Sequence, residues 1–371
     1  MSGSARTIVE RLLSEADVTV DGAEPWDMAV RDDRLFQRVL RGGSLGLGES
    51  YVDGWWDCER LDEFFHRVLR ARLDRRVFGI RDVFAALPAW LVNLQSPRRA
   101  HQIGKTHYDI GNRLYRCMLD ARMIYSCGYW RNASTLDEAQ EAKLDLVCRK
   151  LGLAPGMRVA DIGCGWGGTA RFAAERYGAE VTGITVSQEQ AVLAAESCAG
   201  FPVRIALQDY RDLDGKFDRV LSIGMFEHVG SRNYRTFMRV VRRCLADDGV
   251  FLLHTIAANV STRSGDPWIE RYIFPNSMLP SMRQIAQSAE GLFVLEDVHG
   301  FGADYDKTLR CWFANFDEHW PALRQEYDDR FYRLWKYYLL CCAGAFRARA
   351  IQLYQIVFSP KGIPGGWVCR R

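Results

Sequence analysis

One short stretch constrains this chain of 371 residues more than any other: Asp161-Ile-Gly163-Cys-Gly165-Trp-Gly167-Gly168. Glycines at 163, 165 and 167 let the backbone turn sharply and let a ligand approach it closely. The residues before the run, Arg158–Ile162, predict a short buried strand, and those after it, Thr169–Tyr177, a helix. The N-terminus of such a helix favours a ligand's negative group. A glycine run in this setting is shared by nicotinamide, flavin and other nucleotide-type sites, and a purely structural turn is the plain alternative.

Strands and helices alternate from Arg158 onward. Glu180–Val186 predicts a second strand, and Ser187 a helix cap with Gln190 three residues later, the helix running to about Cys198. Val203–Leu207, Phe217–Ile223, Val250–Thr255, Phe293–Val298 and Ile351–Phe358 predict five more strands. Ser231–Leu245 predicts a helix stopped by Asp247-Asp248-Gly249. Such alternation implies a parallel sheet covered on both faces, with ligands beyond the C-terminal strand ends where strand order reverses. The first hundred residues read as mostly helical, with a glycine-rich turn at Gly42-Gly43-Ser-Leu-Gly46-Leu-Gly48. At roughly 100–200 residues per domain, two domains are expected.

Composition excludes several classes. No stretch reaches the roughly 18 apolar residues of a membrane-spanning helix. Met1 to Asp33 is mixed and polar, without a signal-peptide region, so a cytoplasmic protein is expected. Eleven cysteines form no Cys-x-x-Cys pair, and no Cys/His cluster has zinc spacing, so reduced thiols and no metal are expected. The net charge is only +3, yet Arg70 to Lys105 holds eight basic residues against Asp74 and Asp82. That asymmetry points to an anionic partner, a membrane surface or nucleic acid. The patch lies outside the sheet and no stacking-aromatic motif accompanies it, which argues against nucleic acid.

Asp161 ahead of three spaced glycines resembles the signature of S-adenosylmethionine-dependent methyltransferases, where it holds the amino-acid end of the cofactor. The implied class is α/β, a class I (Rossmann-like) seven-stranded methyltransferase domain preceded by a smaller, mostly helical N-terminal domain. Many such enzymes end the second strand with an acid for the ribose hydroxyls. Here Thr185, Ser187 and Gln190 stand there, with Glu189 as a possible substitute, and Asp209 and Tyr210 are placed to meet the adenine.

Further segments narrow the likeness: Gly104-Lys-x-His107-Tyr108-Asp109-x-Gly111-Asn112, Tyr125-Ser126-Cys127-Gly-Tyr129-Trp130, Gly224-Met-Phe226-Glu227-His228, His254-Thr-Ile256, Phe301-Gly-Ala-Asp304-Tyr305 and Cys342-Ala-Gly-Ala-Phe346-Arg347. With Gly46-Leu-Gly48-Glu49 through Trp56, they closely resemble the cyclopropane-fatty-acid-phospholipid synthase family, from about Glu10 to Ser359. The resemblance implies methyl transfer to a cis double bond of a phospholipid acyl chain, then loss of a proton from the new methyl and ring closure. It implies bicarbonate as base, held by Cys127, Glu227, His254, Tyr305 and the backbone N–H of Ile256. It adds Tyr125 and Ser126 to the cofactor site, and it singles out Cys342, although no step needs a second thiol. A homodimer is its expectation, with residues 1–93 as a lipid-binding and substrate-access domain, 94–111 as a linker and 112–371 as the catalytic domain.

The residues alone leave alternatives open. Glu227 and His228 follow a strand at the functional edge of the sheet. His254 in an apolar strand reads equally as a core histidine, Tyr305 as a packed tyrosine and Cys127 as a small core residue. A carboxylate cannot sit beside bicarbonate while ionised, so Glu227 is expected either to have a raised pKa or to orient other groups. Apolar residues 84–94, flanked by Arg75, Arg76, Arg98 and Arg99, suit either a buried helix or contact with anionic lipid at the inner face of the membrane. The rival functions are a lipid C-methyltransferase making methyl branches and an inactive methyltransferase fold that serves as a lipid-binding scaffold.

Overall fold

The computed structural model describes residues 4–74, 111–262, 264–369 and 371, and the alternation after residue 158 becomes one sheet of seven strands. These are β1 (Arg158–Ile162), β2 (Glu180–Thr185), β3 (Val203–Leu207), β4 (Phe217–Ile223), β5 (Leu245–Ala258), β6 (Val294–Gly300) and β7 (Ile351–Ser359). Their order across the sheet is β3-β2-β1-β4-β5-β7-β6. β1 pairs in parallel with β2 on one side and β4 on the other, while β6 and β7 are antiparallel. Strand order therefore reverses at β1, and the glycine run leaves β1 at that point.

Both faces of the sheet are covered, as near-continuous apolar strands require. Neighbouring strand residues enter opposite cores. Val220, Phe251 and Leu253 pack with Phe237, Met238 and Val241 of the Tyr234–Cys244 helix. Leu221, Val250 and Leu252 pack with Leu144, Val147 and Leu151 of the Leu136–Leu151 helix. Thr135 caps that helix through a complete capping box with Glu138.

Two local expectations are corrected. The Asp247–Gly249 stretch does not simply end a helix: β5 begins at Leu245, and its pairing with β4 shifts register between Phe217 and Arg219, which absorbs the extra residues as a bulge. Ser187 does accept from the Gln190 N–H, but the Gln190 side chain turns to Thr185 Oγ1 at 2.8 Å, so no capping box forms.

The chain divides into two units. One holds Asn93–Thr262, Asn276–Asp304 and Gln352–Arg371, and with them the sheet; the other holds Met1–Val92, Arg263–Pro275 and Tyr305–Ile351. Two segments expected within a catalytic domain running from 112 to 371 thus belong with the N-terminal residues. The reason is aromatic packing inside that unit: Trp268 lies 4.5 Å from Tyr337, which packs on Tyr51 at 5.4 Å and Phe65 at 5.1 Å. The glycine-rich turn expected at 42–48 lies inside one helix, Arg34–Val52, kinked where Gly43 takes a φ of 52°. Gly48 serves packing instead, since a Cβ there would stand 2.3 Å from the Trp268 ring.

Candidate active site

A cleft of about 180 Å³ opens at the C-terminal ends of the parallel strands. Asp161 at the end of β1, Gly163 and Gly165 line it, as do Tyr125 and Ser126. Gly163, Gly165 and Gly167 have φ of 88°, 55° and 82°, a region glycine enters without strain. A Cβ on Gly163 would meet Met225 at 2.8 Å, whereas Gly165 faces open space. The loop thus packs on one side and leaves bare backbone on the other, which is what close approach of a ligand requires. Gly167 begins the following helix and does not line the cleft.

The remaining cofactor candidates separate cleanly. Thr185, Gln190, Asp209 and Tyr210 line the cleft. Ser187 does not; its hydroxyl is spent on the helix cap. Glu189 is exposed, takes a 3.4 Å bond from Asn112 Nδ2 and is not part of the cleft lining. The Asp209 carboxylate is engaged by the Arg211 side chain and N–H, both at 2.9 Å. Asp161 is 2% exposed, and burial pushes its pKa up to about 7, partly offset by the Lys143 charge. Its Oδ2 has no hydrogen-bond partner among the described residues.

The short turn Phe226–His228 after β4 carries Glu227, and the same turn region lines the cleft through Met225 and His228. Glu227 Oε1 accepts the Ile256 N–H at 2.7 Å, while Oε2 has no partner among the described residues. Burial raises its pKa to about 7, against the lowering effect of the Ile256 bond. His228 is half-buried, and desolvation lowers its pKa to about 4.

His254 sits on β5 opposite Ile223 of β4. Gln355 Nε2 lies 3.2 Å from its Nδ1. An amide NH₂ only donates, so Nδ1 accepts and the ring hydrogen sits on Nε2. That Nε2 has no partner among the described residues. Burial, with the Lys143 and Lys150 charges, holds the His254 pKa well below its usual value, so the ring is neutral. Cys127 is fully buried, with Sγ 3.1 Å from the Gly128 carbonyl. Two residues on, Tyr129 meets Phe301 at 5.3 Å, and Phe301 meets His254 at 5.9 Å.

Glu227 is thus bonded to Ile256, two residues along β5 from His254, and none of the three lines the cleft itself. Tyr305 and Cys342 lie in the other unit. There Tyr305 stacks on Phe346 at 4.5 Å, and Cys342 is half-buried on the Asp329–Arg347 helix. Gln355 escaped the sequence reading. Its signal was a glutamine among Leu353, Ile356, Val357 and Phe358, a fully buried polar residue in an apolar strand. Arg75, Arg76, Arg98 and Arg99 lie outside the described residues. No described helix is long and apolar enough to cross a membrane. No cluster of metal-ligating side chains occurs among the described residues.

The family model for mycolic acid cyclopropane synthetase matches residues 95–356. The chain belongs to the cyclopropane synthase family of S-adenosylmethionine-dependent methyltransferases. It is 54% identical to the cyclopropane-fatty-acyl-phospholipid synthase of Escherichia coli, over 97% of this chain and 94% of that one. It is 31% identical to the tuberculostearic acid methyltransferase of Mycobacterium tuberculosis, over 90% of this chain and 83% of that one. A mycolic acid cyclopropane synthase solved with S-adenosylhomocysteine and CTAB is 35% identical, with a TM-score of 0.64 over 70% of this chain and 97% of that one. The cofactor of this chain is S-adenosylmethionine. The glycine loop and the unpartnered Asp161 Oδ2 fit its amino-acid end.

Proposed function

We propose that this enzyme converts cis double bonds in the acyl chains of unsaturated phospholipids into cyclopropane rings. The observation that carries the reading is two unpartnered buried polar atoms in the sheet unit. Glu227 Oε2 and His254 Nε2 are both sealed from water and both lack a protein partner among the described residues. Buried polar atoms are nearly always satisfied, so such orphans point to a ligand. A small oxyanion fits them: neutral His254 donates through Nε2, and protonated Glu227 donates through Oε2. Bound S-adenosylmethionine supplies an electrophilic methyl group, and bound bicarbonate supplies the base.

The chain's own residues do the rest. Asp161, Ser126 and the glycine loop hold the amino-acid end of the cofactor, while Thr185, Gln190, Asp209 and Tyr210 hold the nucleoside. Cys127, Glu227 and His254 are the proposed holders of bicarbonate within the sheet unit. The Ile256 N–H serves through Glu227, to which it is committed. Burial does two things here: it keeps Glu227 neutral enough to tolerate an anion, and it keeps water from a cation on the acyl chain. Cys342 has no step to perform.

The proposal places the enzyme in the cytoplasm at the inner face of the membrane, working as a homodimer, with Arg75, Arg76, Arg98 and Arg99 on anionic lipid. Replacing these four by Ala should weaken sedimentation with anionic vesicles; unchanged sedimentation removes them from lipid contact. The function itself is tested by incubating the enzyme with S-adenosylmethionine and cis-unsaturated phospholipid vesicles, then weighing the released acyl chains. A gain of one CH₂ with loss of the double bond supports ring formation. Two further hydrogens would mean a saturated methyl branch, and an unchanged acyl chain would overturn the reading.

A further inference from the structure

Behind the cofactor loop lies a charge that the mechanism above does not use. Lys143 is fully buried on the Leu136–Leu151 helix. It shares the buried face of that helix with Leu136, Gln140, Leu144, Val147 and Leu151, where an apolar side chain would be expected. An ammonium removed from water must be hydrogen-bonded and balanced by charge. Lys143 Nζ lies 3.0 Å from Ser126 Oγ. The field of Asp120, Asp161, Cys127 and Cys148 acts on it. Gln140, one turn earlier, fixes the same segment by donating to the Ser126 carbonyl at 2.8 Å. Asp120 fixes its start by accepting the Ile124 N–H at 2.9 Å. Three side chains thus hold Ser126 at the wall of the cleft, which it lines together with Asp161.

The direction of the Lys143–Ser126 bond matters. An ammonium donates and never accepts. Ser126 Oγ is therefore the acceptor, and its own hydrogen must point elsewhere. Among the described residues nothing else takes it, and the open side of Ser126 is the cleft. We propose that Lys143 is a positioning residue for the cofactor: by donating to Ser126 Oγ it makes the Ser126 hydroxyl a donor to the carboxylate of the cofactor's amino-acid end. The inference rests on the cleft being the S-adenosylmethionine site. It completes a charge pattern in which Asp161 faces the ligand's ammonium and the Lys143–Ser126 pair faces its carboxylate.

Protonation follows from the same geometry. Burial pulls the Lys143 pKa down to about 8, held up in part by Asp120 and then by Cys127 and Asp161. Asp120 is itself raised by burial. Once Lys143 is neutral, its amine can accept the Ser126 hydrogen, and the donor to the ligand is lost.

The test compares two ligands by calorimetry. S-adenosylhomocysteine carries the amino-acid end; methylthioadenosine has the nucleoside and sulfur without it. Ser126→Ala and Lys143→Met should each weaken S-adenosylhomocysteine by roughly tenfold or more, the worth of a hydrogen bond to a charged group, and leave methylthioadenosine unchanged. In the unaltered enzyme, affinity for S-adenosylhomocysteine alone should fall as pH rises past about 8, and Ser126→Ala should abolish that step. The Ser126→Ala pH series decides the matter even where Lys143→Met does not fold. Equal losses for both ligands, no loss, or a pH step that survives Ser126→Ala overturns the proposal. An unaltered enzyme that binds neither ligand overturns the cofactor site itself.

Discussion

Burial drives Glu227 and His254 to the same end by opposite shifts. Desolvation disfavours the charged form, so it raises the carboxyl to about 7 and lowers the imidazole well below its usual range. His254 is then neutral, and Glu227 is protonated below a pH of about 7, where an anion must bind. Glu227→Ala removes one neutral donor and His254→Ala another; both should abolish ring formation while S-adenosylhomocysteine still binds. Loss of cofactor binding in both variants would show that they support the cleft rather than the chemistry. A second expectation concerns pH. Glu227 ionises as pH rises through about 7 and then repels a neighbouring anion. The bicarbonate concentration for half-maximal rate should therefore climb above that pH in the unaltered enzyme. A flat profile would contradict the proton on Glu227. Glu227 and His254 were legible because motif order marked them. Gln355 and Lys143 were not, because each is a polar residue on an otherwise apolar face, and only the structure shows which groups they reach.

Secondary-structure elements were legible where periodicity and caps agreed. Six of the seven sheet strands were foreseen to within a residue or two, because apolar runs bounded by turn residues leave little choice. β5 and the Gly42–Gly48 stretch were not. A bulge hides in one strand assignment, and glycines inside a helix imitate a turn until Trp268 is placed against Gly48. That contact makes a third prediction. Gly48→Ala would put a Cβ into the Trp268 ring and should lower stability by about 1–3 kcal/mol, as overpacking does. Thr135→Ala removes the capping-box acceptor for the Glu138 N–H and should cost about 1 kcal/mol. Denaturant titration measures both, and a neutral result at either position would remove that contact from the account.

At the scale of the whole molecule, chain length leads to an expectation of two domains but does not foretell the return of the chain. Tyr305–Ile351 rejoins the N-terminal residues because its aromatic face has its partners there, a pairing distant in sequence that no local signal announces. Within that unit Arg347 is bound by Asp62 and Asp306, which ties the late helices to the first hundred residues. The sheet unit carries the cleft and the Glu227–His254 pair, so the account stands or falls on what that pair does to an acyl chain. The most direct measurement uses S-adenosylmethionine whose methyl carries three deuterium atoms, with cis-unsaturated phospholipid vesicles, and reads the acyl products by mass. The account predicts a ring carbon that keeps two of the three, because closing the ring removes one from the new methyl. An acyl chain that keeps all three, or carries no label, would contradict it.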